Sequence, residues 1–171
     1  MAGNEERLEQ DQKEKPMSFM ALTVITGLFG GIFWSSLGYL AYLFNFTEVS
    51  PNVILEPWAL GDWKKQWLGT VISIAAIGLF SIGAALIYYA ALRKVNSIWA
   101  GAAYGLVLFF LVFYVLNPIF PGIKPFWELS KNTLITSACL YLLYGVFVGY
   151  SISYEENEMQ NREKNQKQAT S

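Results

Sequence analysis

"FMALTVITGLFGGIFWSSLGYLAYLF", residues 19–44, contains no Asp, Glu, Lys or Arg. A helix needs about 20 apolar residues to cross a hydrocarbon core about 30 Å thick. This stretch is long enough, and three more follow it. They are "WLGTVISIAAIGLFSIGAALIYYAAL" at 67–92, "IWAGAAYGLVLFFLVFYVL" at 98–116 and "TLITSACLYLLYGVFVGYSIS" at 133–153. Four uncharged stretches of this length in 171 residues predict an all-α membrane protein, a four-transmembrane-helix up-down bundle.

The composition agrees. Hydrophobic residues make up 54% of the chain and charged residues 15%, against about 25% charged in an ordinary soluble domain. The charges collect in a leading tail, 1–18, and a trailing tail, 154–171. Both tails mix acidic and basic residues with Gln and Asn. They hold too few apolar residues to fold alone, so both are expected to be short and disordered. The leading tail is more acidic than basic, and the apolar run after it exceeds a signal peptide's 7–15-residue core. The first stretch therefore reads as a retained helix. The single cysteine, Cys139, lies within the fourth stretch and cannot form an intrachain disulfide.

Lys and Arg near the ends of spans favour the cytoplasmic side. Arg7, Lys13, Lys15, Arg93, Lys94, Arg162, Lys164 and Lys167 fall on one side, eight in all. Lys64, Lys65, Lys124 and Lys131 fall on the other, four in all. Both termini are predicted to be cytoplasmic.

The first loop runs into the second helix through "EPWALGDWKKQW", residues 56–67. Indole rings concentrate where headgroups meet hydrocarbon, and lysine can lay its stem along the apolar zone beside them. Trp58, Trp63 and Trp67, with Trp127 in the third loop, are expected to be interfacial anchors at one depth near the outer boundary. Tyr88, Tyr89, Trp99 and Tyr150 would mark the inner boundary. An alternative has the first loop fold back over the bundle mouth with Trp58 buried as a lid. Two lysines beside three tryptophans make no basic surface, so no nucleic-acid partner is expected. The third loop, "NPIFPGIKPFWELSKN" at 117–132, cannot be a continuous helix because of Pro118, Pro121 and Pro125. Its "PFWELS" echoes "PWALG" of the first loop, hinting at two hairpins in parallel orientation.

Chemistry-bearing groups are scarce. The chain has no histidine, and no Asp or Glu falls within the four stretches. Intramembrane ionisable residues mark proton relays and ion pathways, so a proton-coupled pump is disfavoured. With no histidine and one cysteine, neither a zinc site nor a Ser-His pair is expected. No phosphate-binding loop occurs. The outer carboxylates Glu48, Glu56, Asp62 and Glu128 show no spacing that demands acid–base work. The expectation is a non-enzyme without catalytic, cofactor or metal residues.

The stretches do offer small residues four apart. Gly27 and Gly31, Gly101 and Gly105, and Gly145 and Gly149 are predicted to face other helices. Lipid tails give no hydrophobic drive for helix association, so close backbone approach must supply the packing. Tyr39, Tyr104, Tyr141 and Tyr144 lie away from the helix ends, and their hydroxyls are expected to find backbone, Ser or Thr partners.

"KPMSF" at 15–19, "GLFGGIFWS" at 27–35, "GYLAYLFNF" at 38–46, "LGTVISI" at 68–74, "NPIFP" at 117–121 and "YLLYGVFVGYSISYE" at 141–155 resemble the YqhR family. These are small integral membrane proteins of spore-forming Gram-positive bacteria. The resemblance spans nearly all the chain between the tails and keeps the motif order. It implies a bacterial plasma-membrane protein and implies no activity and no site residues.

Two functions are compatible with these residues. One is an accessory or scaffold protein that touches the lipid bilayer and binds other membrane proteins or itself. The other is a small transporter or channel for a neutral or lipid-like solute, working as an oligomer if one is needed. The charge bias supplies the first test. Reporters fused after Ser171 should be active only if cytoplasmic, and reporters within 49–60 only if external; an external C-terminus would reverse the predicted orientation.

Overall fold

The computed structural model describes residues 18–59, 61–95 and 97–169. The tail expected over 1–18 lies outside these residues except for Ser18, which immediately precedes the first helix. The described residues form no strand. Helix α1 is Phe19–Leu43, α2 is Trp67–Leu92, α3 is Ile98–Phe110 and α4 is Lys131–Ala169. All four, with α3 counted to Val115, are long and apolar enough to cross a membrane.

Local chemistry sets the helix ends. Asn45 has φ of 57°, the left-handed conformation that Asn tolerates better than most residues. The Phe46 amide then donates to the Ala41 carbonyl at 2.9 Å and the Asn45 amide to that of Tyr42 at 3.0 Å. This pair of bonds closes α1 as a Schellman motif. Pro118 has no N–H for the carbonyl of residue 114 and would crowd it. The last turn before it, Leu111–Val115, loosens into a π-helix, with the Leu116 amide reaching back to Leu111 at 2.9 Å. Ser130 starts α4 by accepting from the Thr133 amide at 3.2 Å.

The trailing tail departs from expectation. Residues 154–169 continue α4 instead of forming a disordered tail. They contain neither Gly nor Pro and are dominated by Glu, Gln, Lys, Arg, Asn and Met. Several of these are good helix formers, and the nucleation cost is already met by the membrane-spanning part. Gln160 bonds Glu156 one turn back at 3.1 Å, and Met159 packs against the cluster that holds Phe19 and Ile152.

The bundle is built from two antiparallel hairpins. α1 packs along α2, α3 packs along α4, and α1 also lies against α4. The glycines set these contacts. A β-carbon at Gly27 would stand 2.8 Å from the Ala85 methyl, and one at Gly31 would strike Ser81 and Gly78 of α2. A β-carbon at Gly101 would stand 2.7 Å from the Gly145 carbonyl oxygen. One at Gly105 would strike the Tyr141 carbonyl, and one at Gly149 would stand 2.8 Å from the Gly101 Cα. Each of the six glycines therefore lies against a neighbouring helix. Gly30, next to Gly31, serves the other neighbour: a β-carbon there would stand 3.1–3.3 Å from Phe147 and Tyr144 of α4.

Two hydrophobic clusters result. One, nearer the termini, contains Phe19, Ala85, Tyr88, Tyr104, Tyr144, Val148 and Ile152. The other, nearer the long loops, contains Phe109, Phe113, Ile123 and Leu129.

Gly105→Val should lower the unfolding free energy of the detergent-solubilised protein by about 1–3 kcal/mol, because overpacking forces the backbones apart. Gly83 has open space within 4 Å, so Gly83→Ala should be neutral or stabilising by up to about 1 kcal/mol. Denaturation in mild detergent with increasing SDS checks both, and equal losses would contradict the packing.

Candidate functional site

The loops at 44–66 and 116–130 meet at one end of the bundle and form a cap. Two short segments of the first loop, Pro51–Leu55 and Asp62–Lys65, are 3-10 turns. Ser50 starts the first by accepting from the Asn52 amide at 3.3 Å, and Pro51 suits the first helical position. Gly61, with φ of 101°, turns the chain between the two segments.

The first segment does not stand in water above the helices. Val49 and Val53 pack against the cluster of Phe109, Phe113, Ile123 and Leu129, which also gathers Ala138 and Tyr141 of α4. On its other side, Ile54, Leu55 and Trp58 line an apolar groove of about 310 Å³ with Ala76 and Phe80 of α2. Ala76 and Phe80 lie nine and thirteen residues from Trp67, or about 14 and 20 Å along the helix. The first loop thus folds back into the bundle mouth and along α2.

Polar contacts tie the cap together. The Glu48 amide donates to Thr133 Oγ1 at the start of α4, at 2.9 Å. Lys124 Nζ in the third loop donates to Glu48 Oε2 at 2.9 Å. This bond holds the Glu48 carboxyl below the usual carboxylate range and the Lys124 ammonium above the usual lysine value. Asn52 Nδ2 donates to the Lys64 carbonyl and Lys64 Nζ to that of Ala59, at 2.9 and 3.2 Å. Asn117 Nδ2 braces the third loop through the Lys124 carbonyl at 3.0 Å.

Glu56 is an exception. Its carboxylate is pressed against Gly122 of the third loop, where any β-carbon would collide with it. The Oε2 atom is wholly buried and has no hydrogen-bond partner among the described residues. Asn52 Oδ1, Ser73 Oγ and Trp34 Nε1 are buried and unpartnered in the same sense.

Below the cap the hydroxyls bond to one another. Ser81 Oγ and Tyr144 Oη are 2.5 Å apart, and Tyr104 Oη donates to the Ala84 carbonyl at 2.6 Å. Tyr88 Oη lies 3.4 Å from Ser153 Oγ, which donates to the Val95 carbonyl at 3.2 Å. Tyr104 and Tyr144 thus have the partners expected of them. The Tyr141 ring packs edge-on to Phe109 and Phe113, and half-buried Tyr39 stacks with Tyr42.

The four tryptophans fare differently. Trp58, Trp67 and Trp127 are 78%, 75% and 77% exposed, and Trp63 is 38% exposed. Trp58 is therefore not a buried lid, although its loop does cover the mouth. Its groove with Ala76 and Phe80 places it well along α2 from Trp67, not at a common level. Sequence reasoning missed Gly30, Ser73 and the Glu56–Gly122 contact. The adjacent pair Gly30–Gly31 was a readable sign of two helix contacts; nothing local marks the other two.

Comparison with known proteins places this arrangement. The family model described as "Conserved membrane protein YqhR" matches residues 3–167. A relative from Bacillus subtilis (strain 168), described as "Uncharacterized protein YqhR", is 55% identical over 161 residues, covering 94% of this chain and 90% of the relative. No solved structure matches.

The Glu48–Lys124 pair is exposed, so it should set loop register more than global stability. Glu48 is depressed, so its contribution holds above the ordinary value of 4.5 and disappears as the pH falls through its lower folded value. Lys124 is raised, so its contribution holds below the ordinary value of 10.5 and disappears as the pH rises through its higher folded value. Spin labels at positions 58 and 127, in a Cys139→Ser background, should give a narrow distance distribution at neutral pH. The distribution should broaden on acidification and in Lys124→Ala, with the melting temperature nearly unchanged. A distribution indifferent to both would remove the pair's role.

Proposed function

The chain belongs to the YqhR family of conserved membrane proteins, and from that premise we propose that it is a non-enzymatic accessory protein of the bacterial plasma membrane. In this reading both termini are cytoplasmic, the two-loop cap faces outward, and the protein binds other membrane proteins or organises an assembly. The observation that carries it is that the bundle's terminal half bonds its own hydroxyls to one another and to backbone. The Ser81–Tyr144, Tyr104–Ala84 and Tyr88–Ser153–Val95 bonds occupy its hydroxyls. The Gly101, Gly105 and Gly145 backbones close α3 on α4. Groups already bonded to each other in a packed interior are poor ligands for a passing solute. The cap and the exposed flanks remain as surfaces for a partner.

The absence of histidine and of carboxylates in the predicted spans supports the non-enzymatic part. The 8-to-4 basic bias supports the orientation.

A second reading, a small transporter for a neutral or lipid-like solute, is favoured by one feature. Ser73 Oγ, Asn52 Oδ1 and Glu56 Oε2 are buried without partners on α2 and the first loop, and a polar solute is one way to satisfy such groups.

Affinity capture of the tagged protein from native membranes in mild detergent separates the two. The accessory reading expects defined membrane proteins to co-purify and to be lost when Trp58, Trp63 and Trp127 are replaced by Ala. Recovery of the chain alone, with solute flux in liposomes containing it, would replace the accessory reading with the transporter.

A further inference from the structure

We propose that Glu56 binds a small monovalent cation between the two loops of the cap, which goes beyond the accessory reading and does not depend on it. Glu56 lies on the segment that folds back into the bundle mouth, and its carboxylate abuts Gly122 of the opposite loop. Its Oε2 atom is wholly buried with no donor among the described residues. A carboxylate oxygen taken from water without a partner carries a large desolvation cost. Native structures rarely leave such an atom bare, and an ion or an ordered water is one of the few ways to satisfy it.

Among the described side chains of the two loops, both lysines have other partners. Lys124 is bonded to Glu48, and Lys64 reaches the Ala59 carbonyl. The occupant must therefore come from outside the described groups.

Its charge follows from what surrounds it. Among the described residues no group of three or more His, Cys, Asp or Glu comes close enough together to hold a metal ion. Glu48, the carboxylate on the same loop, is already neutralised by Lys124. One negative charge partly withdrawn from water is balanced by one positive charge, and a divalent ion would leave a surplus there. An oxygen donor without sulfur or imidazole selects a hard cation, such as sodium or potassium, or the ammonium of an amine headgroup.

The closeness of Gly122 gives the site its geometry. Only a residue without a β-carbon leaves room for the carboxylate, so the third loop forms a wall of the site without contributing a side chain. Binding would join the first loop to the third at a point separate from the Glu48–Lys124 bond.

The test uses the purified full-length protein in detergent. Its melting temperature is followed as NaCl, KCl or ethanolamine hydrochloride replaces N-methyl-D-glucamine chloride at constant ionic strength. A cation at one hundred times its Kd should raise the melting temperature by roughly 5–10 °C. The sodium and potassium arms against the ethanolamine arm tell an inorganic ion from an amine headgroup. The rise should vanish in Glu56→Gln, weaken in Gly122→Ala and persist in Glu128→Gln, which removes an exposed carboxylate elsewhere on the cap. If Glu56→Gln does not fold, Gly122→Ala carries the comparison. The proposal fails if wild-type protein melts identically in every cation, or if both Glu56→Gln and Gly122→Ala respond as wild type does.

Discussion

The approach of two helix backbones over Gly101, Gly105 and Gly145 is the contact on which the rest of the bundle depends. In hydrocarbon, helices gain nothing by hiding apolar side chains from lipid, so dispersion between closely approaching backbones must hold them. A β-carbon at any of these three positions would overlap the facing helix. The close contact brings α3 and α4 together near the termini. Gly27 and Gly31 do the same for α1 and α2, and Gly30 joins the two hairpins through Tyr144 and Phe147. Tyr144 then reaches Ser81, and Tyr104 reaches the Ala84 carbonyl. Those bonds form because the glycine contacts have brought the helices within reach.

Tight closure at one end leaves the other end to the loops. Proline and glycine keep both loops from becoming helix, and the first loop is long enough to return into the mouth. Val49 and Val53 enter the second cluster beside Phe109 and Phe113, so apolar side chains from a loop complete a core that the helices leave open. Bringing backbone and polar side chains to that depth requires partners for them. Thr133, Lys64 and Lys124 supply most of these. Glu56 Oε2 and Asn52 Oδ1 are left over on the cap, as Ser73 Oγ and Trp34 Nε1 are on the helices.

Trp58 illustrates how covering and burial differ. Its segment covers the mouth through the valines, while the indole lines the groove with Ala76 and Phe80 and remains 78% exposed. The loop folds over the mouth as the lid alternative has it, but the indole is not buried there. The sequence marks Trp58 as an aromatic beside proline near a span. Which side of a short 3-10 turn faces the bundle depends on register against α2, and no local pattern states that register.

The sequence by itself determined the number and approximate limits of the spans, because an uncharged run of about 20 residues has few other stable environments than a membrane. It also determined which glycines could meet a neighbour, because spacing of four places them on one helix face. Glycine spacing does not name the partner, so the pairing of α1 with α2 and of α3 with α4 belongs to the tertiary structure. So does the helical course of residues 154–169, where the charged composition suggested a solvated coil but the preceding helix had already supplied the nucleus. The meeting of Glu56 with Gly122, sixty-six residues apart, was likewise beyond local pattern. Two loops come into contact only after the helices that carry them have paired, and that pairing is a property of the whole packed bundle.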